Sequence, residues 1–257
     1  MAAPKLKPAA RSADQEDLAR MSLLEHLEEL RKRIVWSLLA FALACVPSWI
    51  FHEEIFSFLE RPIKAIRPQE KLIFLGITDP FFLYMKVAAL AALFLALPVV
   101  LYQLWLFVAP GLYRRERRFL GPFLVFGTAF FVAGGAFAYY VAFPFAAEFL
   151  LDMAKGFEMQ LEVGRYFSLL MTMILGLGLM FELPIVLLVL AAIGVVTPRG
   201  LLKYFRHAVV AIFIVAAVIT PTPDVVNLCV FALPTVGLYL LGVGAAWLVT
   251  RKKPAAS

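Results

Sequence analysis

The chain has 257 residues, 63% of them hydrophobic and 16% charged, with a net charge of +6 and a mean hydropathy of +0.87. A soluble globular domain is about half apolar and a quarter charged, so this composition excludes one and predicts an integral membrane protein. No phosphate-binding Gly-Lys loop occurs, and His26, His52 and His207 lack metal-ligand spacing, so the sequence offers neither a nucleotide site nor a metal site.

Residues 1–20 are rich in Ala, Pro, Lys and Asp without periodicity, and are read as a disordered cytoplasmic tail. Residues 1–33 hold seven Lys and Arg and no apolar run of signal-core length, unlike a cleavable secretory signal. Ser22-Leu-Leu-Glu25 fits a capping box, which predicts a helix opening there and running through HLEELRKR into the first span. Residues 21–250 then form a six-helix transmembrane domain, with spans at about 34–51, 84–108, 119–144, 166–194, 207–220 and 226–245, each apolar and most near the ~20 residues a bilayer needs. The fifth is short. The first loop holds HEEIFSFLERPIKAI, an amphipathic helix expected to stop near Pro62. Residues 251–257 are a basic tail. If all six segments cross, 17 of the 24 Lys and Arg fall on the side of the N-terminus, which predicts both termini in the cytoplasm. Cys45 and Cys229 lie inside apolar runs, where neither a disulfide nor a thiolate is expected.

Four acids stand out. Glu29 lies beside Glu28 on the first amphipathic helix, and Glu116 lies among the four arginines of YRRERR, residues 113–118. Carboxylates bind guanidinium groups through paired, charge-assisted hydrogen bonds that lysine cannot copy, so two acids in basic surroundings suit an arginine-bearing ligand. The same spacing also fits acids that only neutralise neighbours, since Glu28–Lys32 and Glu29–Arg33 are i,i+4 pairs and Glu116 adjoins Arg115 and Arg117. Glu182 sits inside the fourth span, where an ionisable residue is a functional candidate by default; a neutral acid bonded to a backbone carbonyl is the plainer reading. Asp224, in the loop TPTPD, fits a turn acid as well as a functional one. An ion-coupled secondary transporter using Glu182 is the alternative function, although no internal repeat is visible. No nucleophile–base pair points to a catalytic residue, and nothing points to a cofactor or to nucleic acid.

Several stretches resemble the TatC family of the twin-arginine translocase, in order and in spacing: HLEELRKR at 26–33, TDPFF at 78–82, LPVVLYQLWLFVAPGLYRRERR at 97–118, FAYYVAFPFA at 137–146 and FELPIVLLVLAAIGVVTP at 181–198. The resemblance implies a curved, glove-like wall of six helices with short fifth and sixth spans. It implies a receptor that binds the twin-arginine signal peptides of folded precursors at its cytoplasmic edge, recruits single-span TatA- and TatB-type subunits, works as an oligomer in the inner membrane and uses the proton-motive force. On this resemblance Glu29 and Glu116 are the recognition carboxylates, and Arg31, Phe107, Arg117 and Arg118 belong to or support their site. Glu182 corresponds to an intramembrane glutamate on the concave face, Asp224 to an external acid and Pro62 to a proline of the first external loop. The chain departs from the family at Asn227-Leu228, where Ser-Gln is common, and at Tyr239-Leu240, where Tyr-Glu is common.

Overall fold

The computed structural model describes residues 8–68, 72–108, 120–156, 160–192, 194–220 and 224–250; among them the chain is mostly helical, with short turns and loops between the helices and one bridge, Ile73 to Glu162. The first span lies in α1 (Pro8–Ile50), followed by α2 (His52–Ile66) and the second span, α3 (Asp79–Val108). The third span is α4 (Leu120–Phe137), a π turn (Ala138–Ala142) and α5 (Phe143–Met153). The fourth is α6 (Val163–Phe181) and α7 (Leu183–Ala192). A short α8 (Pro198–Lys203) leads into α9 (Phe205–Ile219), and α10 (Val225–Thr250) closes the chain. Five of these segments are long and apolar enough to cross a membrane; the fifth in chain order, α9, is shorter, as expected from its apolar run.

The first four spans pack in chain order, and the sixth packs between the fourth and the fifth. One edge of the structure is α1 against α3; α3 meets α4, α4 meets α6, α7 meets α10, and α10 meets α9. This succession builds a wall. Lipid tails are as apolar as leucine, so helices in a membrane associate through close packing rather than through the hydrophobic effect. Phe143, Phe167, Leu170, Leu177 and Phe231 are fully buried where the third, fourth and sixth spans meet. Close approach between α4 and α6 depends on Gly134, where a Cβ would lie 2.6 Å from the Leu177 carbonyl oxygen and 2.9 Å from Gly178 Cα.

Two breaks have a proline as their cause. Pro144 has no N–H to give the preceding turn, and the backbone widens so that Phe143 N–H reaches back five residues to Ala138. In the fourth span Pro184 likewise interrupts the ladder, and Glu182 N–H bonds the Leu179 carbonyl at 3.1 Å in a tightened turn.

Four expectations need correction. Residues 8–20 continue α1 instead of forming an unstructured tail; Ala, Arg, Gln, Glu and Leu dominate the stretch, and all are strong helix formers. Ser22 consequently lies inside α1, so no helix opens at Ser22–Glu25. α2 runs through Pro62 to Ile66. The sixth helix, expected to be short, has 26 residues, because its apolar run meets no charge before Arg251 and Pro234 is tolerated where neighbours pack around the freed backbone. Residues 1–7 and the basic tail 251–257 lie outside the described residues.

Candidate functional site

Glu29 lies on α1 in the turns that precede the apolar run. Its neighbour Arg33 donates through Nη2 to Glu29 Oε1 at 3.0 Å and through Nη1 to Gln103 Oε1 on α3 at 3.5 Å. Gln103 is buried. The i,i+4 pair expected from the sequence is therefore formed, but it does more than neutralise a charge. Arg33 ties the carboxylate of one span to a buried amide of the next, which limits the rotamers open to Glu29. The Glu29 side chain remains 29% exposed. A partly exposed carboxylate held through one oxygen can take a second guanidinium without moving far.

Arg31 is exposed on the same helix, and Phe107 is half-buried at the end of α3. α3 ends at Val108, little more than one turn beyond Gln103. The segment that carries Glu116, Arg117 and Arg118 joins that end to α4, so it departs from the Glu29 side of the structure; those three residues themselves lie outside the described residues.

Glu182 occupies the break between α6 and α7. Its backbone carbonyl accepts from the N–H groups of Ile185 and Val186, both at 3.0 Å. Its side chain faces α4, since a Cβ on Gly127 would lie 3.5 Å from Oε2, with Leu101 Cδ1 of α3 at 2.9 Å. Oε1 is buried without a hydrogen-bond partner among the described residues. The alternative of an acid bonded to a neighbouring carbonyl finds no such bond there.

Asp224 is a helix cap. Its Oδ1 accepts from Asn227 N–H at 2.7 Å and its Oδ2 from Asn227 Nδ2 at 2.8 Å, at the start of α10. Asn227, one of the departures from the family pattern, is fully buried by this pairing. Asp224→Ala is expected to lower stability by ~0.5–2 kcal/mol, whereas Asp224→Asn keeps an acceptor and most of the cap. Thermal unfolding of the two variants in detergent checks this, and equal melting for alanine and wild type would contradict it. Tyr239, at the second departure, donates to the Leu201 carbonyl at 2.9 Å and so ties α10 to α8, while Leu240 is exposed.

Pro62 is buried in α2 and has no N–H for the carbonyl of Phe58 four residues earlier. That carbonyl instead accepts from the Tyr139 hydroxyl of the π turn at 2.5 Å, and the next one, Leu59, accepts from the Tyr166 hydroxyl of α6 at 2.7 Å. Phe58 stacks on Tyr139 at 4.6 Å, and Phe56 on Phe167 at 4.8 Å. These contacts seat α2 on the third and fourth spans.

The structure thus brings Glu29 to the end of α3 from which the Glu116 segment leaves, and leaves Glu182, Pro62 and Asp224 at separate places along the wall. Sequence reading missed Gln103, Tyr139 and Tyr166. Gln103 lies in LYQLW and Tyr139 in FAYYVAF, so a polar group inside an apolar span was the available signal for both.

A family model described as Sec-independent protein translocase protein (TatC) matches residues 25–234. A TatC protein of Koribacter versatilis is 45% identical over 257 residues, covering 98% of this chain and 95% of its own length. A TatC protein of Helicobacter pylori (strain J99) is 40% identical over 228 residues, covering 88% of this chain and 89% of its own length. The chloroplastic TATC of Arabidopsis thaliana is 39% identical over 241 residues, covering 93% of this chain and 69% of its own. A crystal structure of the twin arginine translocase receptor TatC superposes with a TM-score of 0.76 at 34% identity, over 88% of this chain and 100% of that one. By the extent of these matches, this multi-pass membrane chain belongs to the TatC family of Sec-independent protein translocase proteins.

Proposed function

We propose that this chain, as the core subunit of a twin-arginine translocase, binds the signal peptide of a folded precursor through Glu29 and Glu116, each receiving one arginine of the pair. The observation that carries the reading is the Glu29 carboxylate, fixed on Oε1 by Arg33 and through it to Gln103, with its side chain still 29% exposed. Arg31, Arg117 and Arg118 keep the surroundings basic, so an approaching cationic peptide gains only from close, directional contact with the two acids. Phe107 supports the site from the end of α3. The apolar stretch of the peptide then passes along the wall toward Glu182. Both termini lie on the cytoplasmic side of the inner membrane, following the distribution of Lys and Arg. Single-span TatA- and TatB-type subunits and further copies of the chain complete the assembly, which the proton-motive force drives. With the family established, the ion-coupled transporter built on Glu182 is set aside.

The test uses the full chain in nanodiscs and a labelled twin-arginine signal peptide. Glu29→Ala and Glu116→Ala are each expected to weaken binding by about 10- to 100-fold, the loss of a hydrogen bond to a charged group. A twin-lysine peptide is expected to bind more weakly than the twin-arginine peptide. Equal affinity of both peptides for wild type and both variants would mean the acids only balance their own helices.

A further inference from the structure

A cavity of about 610 Å³ opens between α1, α2, α3 and the third span, away from Glu29 and Glu182. Its volume falls within the ~300–1,000 Å³ of ordinary ligand pockets. The wall is apolar, including Phe51, Leu90, Phe94 and Val132, and α2 closes one end of it through Ile55, Phe58 and Leu59. Ser48, 2% exposed near the end of α1, is part of that wall, and its hydroxyl has no hydrogen-bond partner among the described residues. Next to the lining residue Phe58, the Arg61 guanidinium stands 5.5 Å from its ring, exposed and with no acid paired to it among the described residues. Glu54 lies on the same face of α2 but seven residues back, roughly 10 Å along the helix.

We infer that this cavity is a phospholipid site, with an acyl chain in the apolar wall and the lipid phosphate on Arg61, in the leaflet on the α2 side. Three features favour a lipid over a protein helix. A helix with its side chains is ~10–12 Å across and needs a groove running the depth of the membrane, whereas α2 closes this one. The cavity opens past the exposed lining residues Leu95 and Tyr140, both in apolar spans. The Arg61 guanidinium beside Phe58, with no acid paired to it among the described residues, matches a phosphate, which arginine binds through paired hydrogen bonds. A lipid seated here would fill the space between the first and third spans and fix α2, independently of the peptide site.

The experiment is native mass spectrometry of the full chain, delipidated in detergent and titrated with dioleoyl phosphatidylglycerol or with dioleoylglycerol, which has the same chains and no phosphate. Wild type is expected to hold one phosphatidylglycerol and to bind the diacylglycerol more weakly. Arg61→Gln is expected to reduce phosphatidylglycerol binding about tenfold and to leave dioleoylglycerol unchanged. Ala91→Phe, which fills the wall, is expected to weaken both, and Ala136→Leu does the same with a smaller side chain should the first fail to fold. Unchanged phosphatidylglycerol binding in Arg61→Gln, or in both filling variants, overturns the assignment. So does displacement of the lipid by a saturating twin-arginine peptide, which would make the cavity a peptide groove.

Discussion

Gly134→Leu is expected to prevent the third and fourth spans from packing, with loss of monodisperse protein on detergent extraction. The reason is local. A Cβ at this position meets the carbonyl oxygen of Leu177 at 2.6 Å and Gly178 Cα at 2.9 Å, both backbone atoms of α6 that cannot rotate away. Overpacking that side chains can absorb costs about 1–3 kcal/mol; here α4 and α6 must separate, so the effect lies at or above the upper end. Even Gly134→Ala places the offending atom. Gly127→Ala is the control, since its Cβ would press chiefly on Leu101 Cδ1, the far end of a flexible side chain. That variant is expected to extract and melt nearly as wild type. Similar behaviour of the two alanine variants would refute the account of the α4–α6 contact.

The second large effect is expected at the seat of α2. Tyr139→Phe and Tyr166→Phe each remove a hydroxyl from a backbone carbonyl in a buried setting, and together they are expected to cost about 2–5 kcal/mol. The two sites differ in a way that can be measured. The Phe58 carbonyl relies on Tyr139 because Pro62 has no N–H to offer it, whereas Leu59 stands four residues before Ile63, which has one. In a Pro62→Ala background the restored N–H can satisfy Phe58 within the helix, so Tyr139→Phe is expected to cost less there than in wild type, while the cost of Tyr166→Phe stays the same. A double-mutant cycle by thermal unfolding reads the difference. No coupling between Pro62 and Tyr139 would leave the buried proline without this explanation.

Five of the segments were legible because each is an apolar run of membrane length, and the fifth in chain order announced its shortness by the same measure. The backward extension of α1 was not, since helix propensity alone carries residues 8–20 and a tail without periodicity reads equally well as coil. The π turn was hidden for a different reason. Pro144 is plain in the sequence, but whether a helix meets a proline by kinking, ending or widening depends on the packing around it. Glu29 could be picked out as an acid in basic surroundings, and its i,i+4 pairing with Arg33 followed from spacing. That Arg33 also reaches Gln103, 70 residues away, is a contact between spans that no local pattern encodes. Asp224 and Asn227 show the reverse: the capping geometry belongs to neighbouring residues, yet the loop sequence suggested a turn acid or a functional one rather than a helix cap.

The central claim is that carboxylates of the chain meet guanidinium groups of the signal peptide directly. A double-mutant cycle tests it most closely: Glu29→Ala and Glu116→Ala, each titrated in nanodiscs against peptides with one or the other arginine replaced by glutamine. Direct contact predicts that each glutamate couples by more than about 1 kcal/mol to one particular arginine and little to the other. Additive losses at every combination, with no preference of either glutamate for either arginine, would contradict the account.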